Sequence, residues 1–127
     1  AHRDIKLENI IVCDGGQSVK LIDFGFSVVV CYKGEKLRSF CGYDFIVIQH
    51  SSVHGSVNHA RVPYEPTPTD VWALGIVLFY MLTGKHPFVA KDEIMLFHSI
   101  QKSEPILPKE FSTSLRQLLK ELLQKSC

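Results

Sequence analysis

His2–Gly25 reads HRDIKLENIIVCDGGQSVKLIDFG, and the fold turns on how it is read. Two short apolar runs, Ile10–Cys13 and Val19–Ile22, flank Asp14-Gly15-Gly16. Residues that tolerate positive φ, placed between two β-prone runs, predict a hairpin. A hairpin returns the chain to where it started. Asp23-Phe24-Gly25, after the second run, is therefore expected beside the residues that precede the first.

That juxtaposition gathers a specific set of groups. Asp4 is a carboxylate able to take a proton from a hydroxyl, and Lys6, two positions on, is able to neutralise an oxyanion. Asn9 offers a carbonyl oxygen and Asp23 a second carboxylate, both hard ligands suited to Mg²⁺. Gly25 lets the backbone approach closely. One base, one cation and two metal ligands suit phosphoryl transfer, where positioning and charge neutralisation supply most of the catalysis.

The rest of the chain is mainly helical in pattern. No helical period holds over residues 26–69, and Pro63, Pro66 and Pro68 predict an extended or turning end to that stretch. DVWALGIVLFYMLTG (Asp70–Gly84) is the most apolar run. It is shorter than the roughly 20 residues a bilayer span needs, so no membrane partner is expected. Thr69 or Asp70 caps a helix predicted through Leu82, apolar nearly all round and therefore central. Such a helix needs partners on every side. Each exposed Leu-sized group forgoes about 1.5–3 kcal/mol, so the isolated chain is expected to be marginally stable or partner-dependent. An amphipathic helix is predicted over Lys91–Lys102. Ser112 or Thr113 caps a third, with a stripe of Leu115, Leu118, Leu119, Leu122 and Leu123.

With 127 residues, 46% of them apolar, the chain fits one domain with a real core. The net charge of +1 comes from scattered Lys and Arg, which argues against a nucleic-acid surface. The polar opening residues lack the apolar region of a secretory signal. Cys13, Cys31, Cys41 and Cys127 form no C-x-x-C pair and fit a reducing compartment, the cytoplasm or the nucleus.

Taken jointly, H-R-D-x-K-x-x-N, a short hairpin, D-F-G and D-V-W-x-x-G resemble the eukaryotic protein kinases over nearly the whole chain. The resemblance implies an α+β, mainly α fold. It would be the C-terminal lobe of a kinase domain, with a central apolar helix, further helices and a small β-hairpin. Residues 1–25 would hold the catalytic loop, hairpin and metal motif, 26–69 the activation segment, and 70–127 a helical subdomain. It implies Asp4 as the catalytic base, Lys6 on the transferred phosphate of ATP, and Asn9 and Asp23 on Mg²⁺. His2 and Phe24 would pack together, and Asp70 would accept hydrogen bonds from the catalytic-loop backbone. Trp72 and Gly75 would set the packing of the central helix. Lys6 two residues after the base is similar to serine/threonine kinases, so the implied partner is a protein bearing a Ser or Thr hydroxyl. DFGFS followed by LRSFCG is similar to the calcium/calmodulin-dependent and AMP-activated-related branch. There Ser39 would be phosphorylated by an upstream activating kinase and gripped by Arg3.

The pattern breaks within CGYDFIVIQHSSVHGSVNHARVPYEP (Cys41–Pro66), most of all over residues 43–62. Tyr43 stands where a small hydroxyl residue is expected, and no Ala-Pro-Glu follows. His50, His54 and His59 with Cys41 lack the close ligand pairs of a structural zinc site. No G-x-G-x-x-G occurs in the chain, so the N-terminal, nucleotide-covering lobe is expected to be absent from it. Two readings stay open: a partial serine/threonine kinase domain, or a non-catalytic kinase-like piece that binds partners or has no stable function.

Overall fold

The computed structural model describes residues 1–38 and 63–125. Ser39 and the divergent stretch at 43–62 lie outside the described residues. So does the Cys41, His50, His54 and His59 set.

The first apolar run forms β1 (Ile10–Cys13) and the second β2 (Ser18–Leu21), an antiparallel pair with Ile10 opposite Leu21 and Cys13 opposite Ser18. The second strand thus starts and stops one residue before the predicted Val19–Ile22. Asp14, Gly15 and Gly16 all have positive φ (52°, 63° and 96°), which is why this turn carries two glycines. The ladder is extended by Ile22 N–H, which donates to Asn9 O at 3.0 Å. The chain then turns through a short 3₁₀ segment, Phe24–Phe26.

Among the described residues three helices follow: α1 (Pro66–Thr83), α2 (Glu93–Lys102) and α3 (Thr113–Leu122). The first corrects the sequence reading. Pro66 and Pro68 do not end a loop; they open the helix. The first helical N–H groups have no intrahelical acceptor, so a proline there loses nothing, and its fixed φ favours the turn. Thr69 confirms the early start by donating its hydroxyl to Glu65 O at 3.0 Å. The helix ends at Gly84, whose N–H reaches Tyr80 O. α2 begins at Glu93 rather than Lys91 because Asp92 caps it, accepting from Met95 N–H at 2.7 Å. Ser112 caps α3 through Leu115 N–H at 3.2 Å.

The core forms around α1. Trp72 stacks on Phe88, with centroids 5.8 Å apart, and is joined by Ile100 of α2 and Leu123 just past α3. Phe79 meets Leu107 and Leu119, with Phe111 edge-on to its ring at 6.4 Å. Burying each such side chain contributes about 1.5–3 kcal/mol. The opposite side of α1 is apolar yet exposed: Val71, Leu74, Met81 and Leu82 face outward among the described residues. No helix there is long and apolar enough to cross a membrane.

Gly75 sets how closely α3 approaches α1. A Cβ on it would lie 2.9 Å from both Leu122 Cβ and Leu123 Cδ2. In an open helix Gly→Ala stabilises by about 0.5–1 kcal/mol. Here the sign reverses: Gly75→Ala is expected to destabilise by about 1–3 kcal/mol through overpacking. A lower urea midpoint with unchanged slope is the expected result; a raised midpoint would show that α3 is not seated on α1.

Candidate functional site

The site is built where the chain enters β1 and leaves β2. A carboxylate from the helical half holds it from below. Asp70, in the second turn of α1, accepts from two successive backbone donors: His2 N–H at 2.7 Å and Arg3 N–H at 2.8 Å. Between those donors and Asp4 the chain bends sharply, and Arg3 takes a left-handed φ of 67°. A non-glycine residue there is strained and persists only where surrounding bonds over-determine it. Asp70 supplies two of them.

His2 is buried and fixes the next contact. Its Nδ1 accepts from Asp4 N–H at 3.3 Å, so Nε2 carries the ring proton and donates it to Ile22 O at 3.0 Å. The imidazole thereby ties the base-bearing loop to the end of β2. Phe24 packs edge-on against it, centroids 4.9 Å apart. His2 and Phe24 thus touch, and Asp70 holds the loop.

Asp4 is only 2% exposed. Its Oδ2 meets Lys6 Nζ at 2.8 Å and accepts from Asn9 Nδ2 at 3.0 Å, while the same amide also donates to Asp4 O at 2.9 Å. Both partners converge on one oxygen. The other, Oδ1, takes no hydrogen bond among the described residues. Because the Asn9 amide nitrogen is committed to Asp4, its carbonyl oxygen is the atom able to meet a cation. Lys6 stays more exposed than Asp4. Its hydrogen bond to Asp4 is the main force holding its pKa above the ordinary 10.5, helped by the charges of Asp4, Glu8 and Asp23 and opposed by partial desolvation. The ammonium is therefore charged throughout the neutral range.

Asp23 follows Ile22, whose N–H is bonded to Asn9 and whose carbonyl is bonded to His2. Its φ of 60° is again left-handed, and its Oδ1 accepts from Gly25 N–H at 3.2 Å. A Cβ on Gly25 would come 3.1 Å from that oxygen, so the glycine leaves room for the carboxylate to fold over it. The hairpin thus places Asp4, Lys6, Asn9 and Asp23 at one end of a single small unit. Asn9 and Asp23 offer hard oxygen donors, which suits Mg²⁺; a few protein oxygens suffice, since this ion keeps waters and phosphate oxygens as its other ligands. No cluster of three or more His, Cys, Asp or Glu able to hold a metal occurs among the described residues.

Arg3 points toward the other end of the site. Its Nε donates to Phe26 O at 2.6 Å and its Nη1 to the Tyr64 hydroxyl at 3.4 Å. Tyr64 is buried and exchanges backbone hydrogen bonds with Leu37, at 2.8 and 3.0 Å. Sequence reasoning did not single out Tyr64. Nothing in its local pattern sets it apart from any aromatic in a proline-rich stretch, and the contact spans 61 residues.

The sequence profile described as Protein kinase domain matches residues 1–127. Among curated proteins, sperm motility kinase 2B of Mus musculus is 40% identical over 123 residues, 96% of this chain and 23% of the relative. The Aurora kinase of Dictyostelium discoideum is 35% identical over 123 residues, 96% of this chain and 29% of that protein. CBL-interacting serine/threonine-protein kinase 13 of Arabidopsis thaliana is 34% identical over 128 residues, again 96% of this chain and 23% of the relative. The chain thus spans about a quarter of the length of these relatives.

Proposed function

The chain belongs to the protein kinase domain family, and from that premise we propose that it is the C-terminal-lobe part of a serine/threonine protein kinase. The reaction is transfer of the γ-phosphate of Mg·ATP to a protein Ser or Thr hydroxyl. Asp4 accepts the hydroxyl proton through Oδ1, while Lys6 and Asn9 hold Oδ2 and so orient the carboxylate. The Lys6 ammonium faces the charge that builds on the transferred phosphoryl group. Asn9, through its carbonyl oxygen, and Asp23 would hold the metal. When bound, magnesium supplies charge neutralisation on the phosphate oxygens.

The observation that carries this reading is the convergence of Lys6 and Asn9 on one oxygen of a buried Asp4. A purely binding module has no chemical need for a buried carboxylate with one oxygen committed and the other open. Short motifs around Asp23 and before Cys41 favour the calcium/calmodulin-dependent and AMP-activated-related branch. Phosphorylation of Ser39 by an upstream kinase belongs to the same reading. Arg3 touches Tyr64, which is paired with Leu37, two residues before Ser39. A cytoplasmic or nuclear setting, where ATP and protein substrates are available, is part of the proposal.

The test is direct. The longest natural polypeptide carrying these 127 residues is incubated with Mg·ATP labelled at the γ-phosphate and a mixture of serine- and threonine-containing proteins. Label on Ser or Thr is the expected outcome. No transfer to any protein under those conditions overturns the proposal in favour of a non-catalytic module.

A further inference from the structure

Between the end of α1 and the two connections that follow it, residues 84–92 and 103–112, lies a cavity of about 660 Å³. Its floor is aromatic: Phe79 and Phe88 are buried, and Phe111 packs edge-on against Phe79. Its rim is aliphatic and wet. Val89, on the first connection, is 78% exposed, and Ile106, on the second, is 86% exposed. None of Asp4, Lys6, Asn9 and Asp23 lines this cavity, so it is separate from the site described above.

Two observations say what covers it. Single exposed aliphatic residues are ordinary, but here two of them border one aromatic-floored cavity. A small molecule seated on the floor would leave that rim in water; a protein surface buries floor and rim together. The charges add the second. Lys85 belongs to the first connection, and Glu104 and Glu110 belong to the other. None of the three forms an ion pair within the chain among the described residues. An occupant that answers them must bring both signs, a carboxylate to the first connection and an ammonium to the second.

A second copy of this chain brings both. We infer that this face is a two-fold interface between copies, independent of the phosphoryl-transfer reading. A two-fold axis sets residues 84–92 of one copy against residues 103–112 of the other. Lys85 then meets Glu104 and Glu110 twice over, and the exposed Ile106 of each copy enters the aromatic-floored cavity of the other. The patch is self-complementary in shape and in charge, as a two-fold contact requires.

The oligomeric state tests it. The longest natural polypeptide carrying these 127 residues is followed by sedimentation velocity from sub-micromolar to high micromolar concentration. A reversible monomer–dimer equilibrium is expected. Ile106→Glu, at a side chain that packs little within its own chain, is expected to weaken the dimer at least about tenfold with unchanged far-UV circular dichroism. Charge reversal supplies a sharper reading. Lys85→Glu alone, and Glu104→Lys with Glu110→Lys, are each expected to weaken self-association about tenfold by placing like charges together. Mixing the two variants restores opposite charges at both contacts, so a mixed dimer of wild-type affinity is expected. A polypeptide that stays monomeric at every concentration overturns the inference and leaves the face to a different protein or to another segment of the longer chain. A dimer indifferent to Ile106→Glu, or charge variants that mixing does not rescue, overturns it equally.

Discussion

Asp4→Asn is expected to lower kcat for phosphoryl transfer by about 10²–10⁴-fold, with little change in KM for ATP. The amide keeps the shape of the carboxylate but cannot accept the proton of the incoming hydroxyl. Its surroundings tolerate the change. Lys6 loses its ion pair, but its side chain is 31% exposed, so no charge is stranded in the interior. It remains a cation at neutral pH, because removing Asp4 returns its pKa only toward the ordinary value. The loss therefore reports the missing base and not a missing positive charge. Steady-state turnover with unchanged far-UV circular dichroism is the measurement. Turnover unaffected by the substitution would remove Asp4 from the base role.

Asp70→Ala is expected to lower the unfolding free energy by about 2–4 kcal/mol, a large share of the roughly 5–15 kcal/mol typical of a domain. The carboxylate accepts from His2 N–H and Arg3 N–H across 68 and 67 residues of chain. Removing it leaves two part-buried donors unanswered, and it also releases a left-handed residue held against its steric preference. Asp70→Asn retains one acceptor oxygen and is expected to fall between the two. Urea unfolding of the three proteins gives the order. The same substitution is expected to lower turnover, since Asp4 follows directly after the two anchored residues. Equal midpoints for wild type and Asp70→Ala would show that the helix does not brace the loop.

Much of the site was legible because its residues are close in sequence. Asp4, Lys6 and Asn9 lie within six positions, and a hairpin with an Asp-Gly-Gly turn is a local event that composition alone can announce. Asp23 then follows from strand length. The Ser112 cap and the leucine stripe of α3 were legible for the same reason: capping and a 3.6-residue period are written in adjacent positions. Even there the periodicity named Leu118 together with Leu119, and packing buried only the second of the two.

Other features had no local signal. Pro66 and Pro68 read as loop residues because proline breaks a helix everywhere except its first turn. Which case applies depends on the hydrogen bonds that follow. The central helix is apolar on all sides, so no period says which side is covered. Trp72 and Phe79 went inward because α2, α3 and the loops around them arrived on that side, Ala73 and Val77 are buried near residues 5–8, and Val71, Leu74, Met81 and Leu82 were left outward.

By itself, then, the sequence determined the hairpin, the close grouping of Asp4, Lys6 and Asn9 and, among the described residues, the existence of three helices. These rest on short-range rules of turn, cap and period. Tertiary structure alone decided that Arg3 is left-handed, that Asp70 seats two backbone donors, that Tyr64 touches Arg3, and that one oxygen of Asp4 is taken while the other stays open. The physical reason is common to the long-range members of that set. Each depends on groups 60 or more residues apart meeting at hydrogen-bond distance, and only the packing of α1 beneath the loop brings them there.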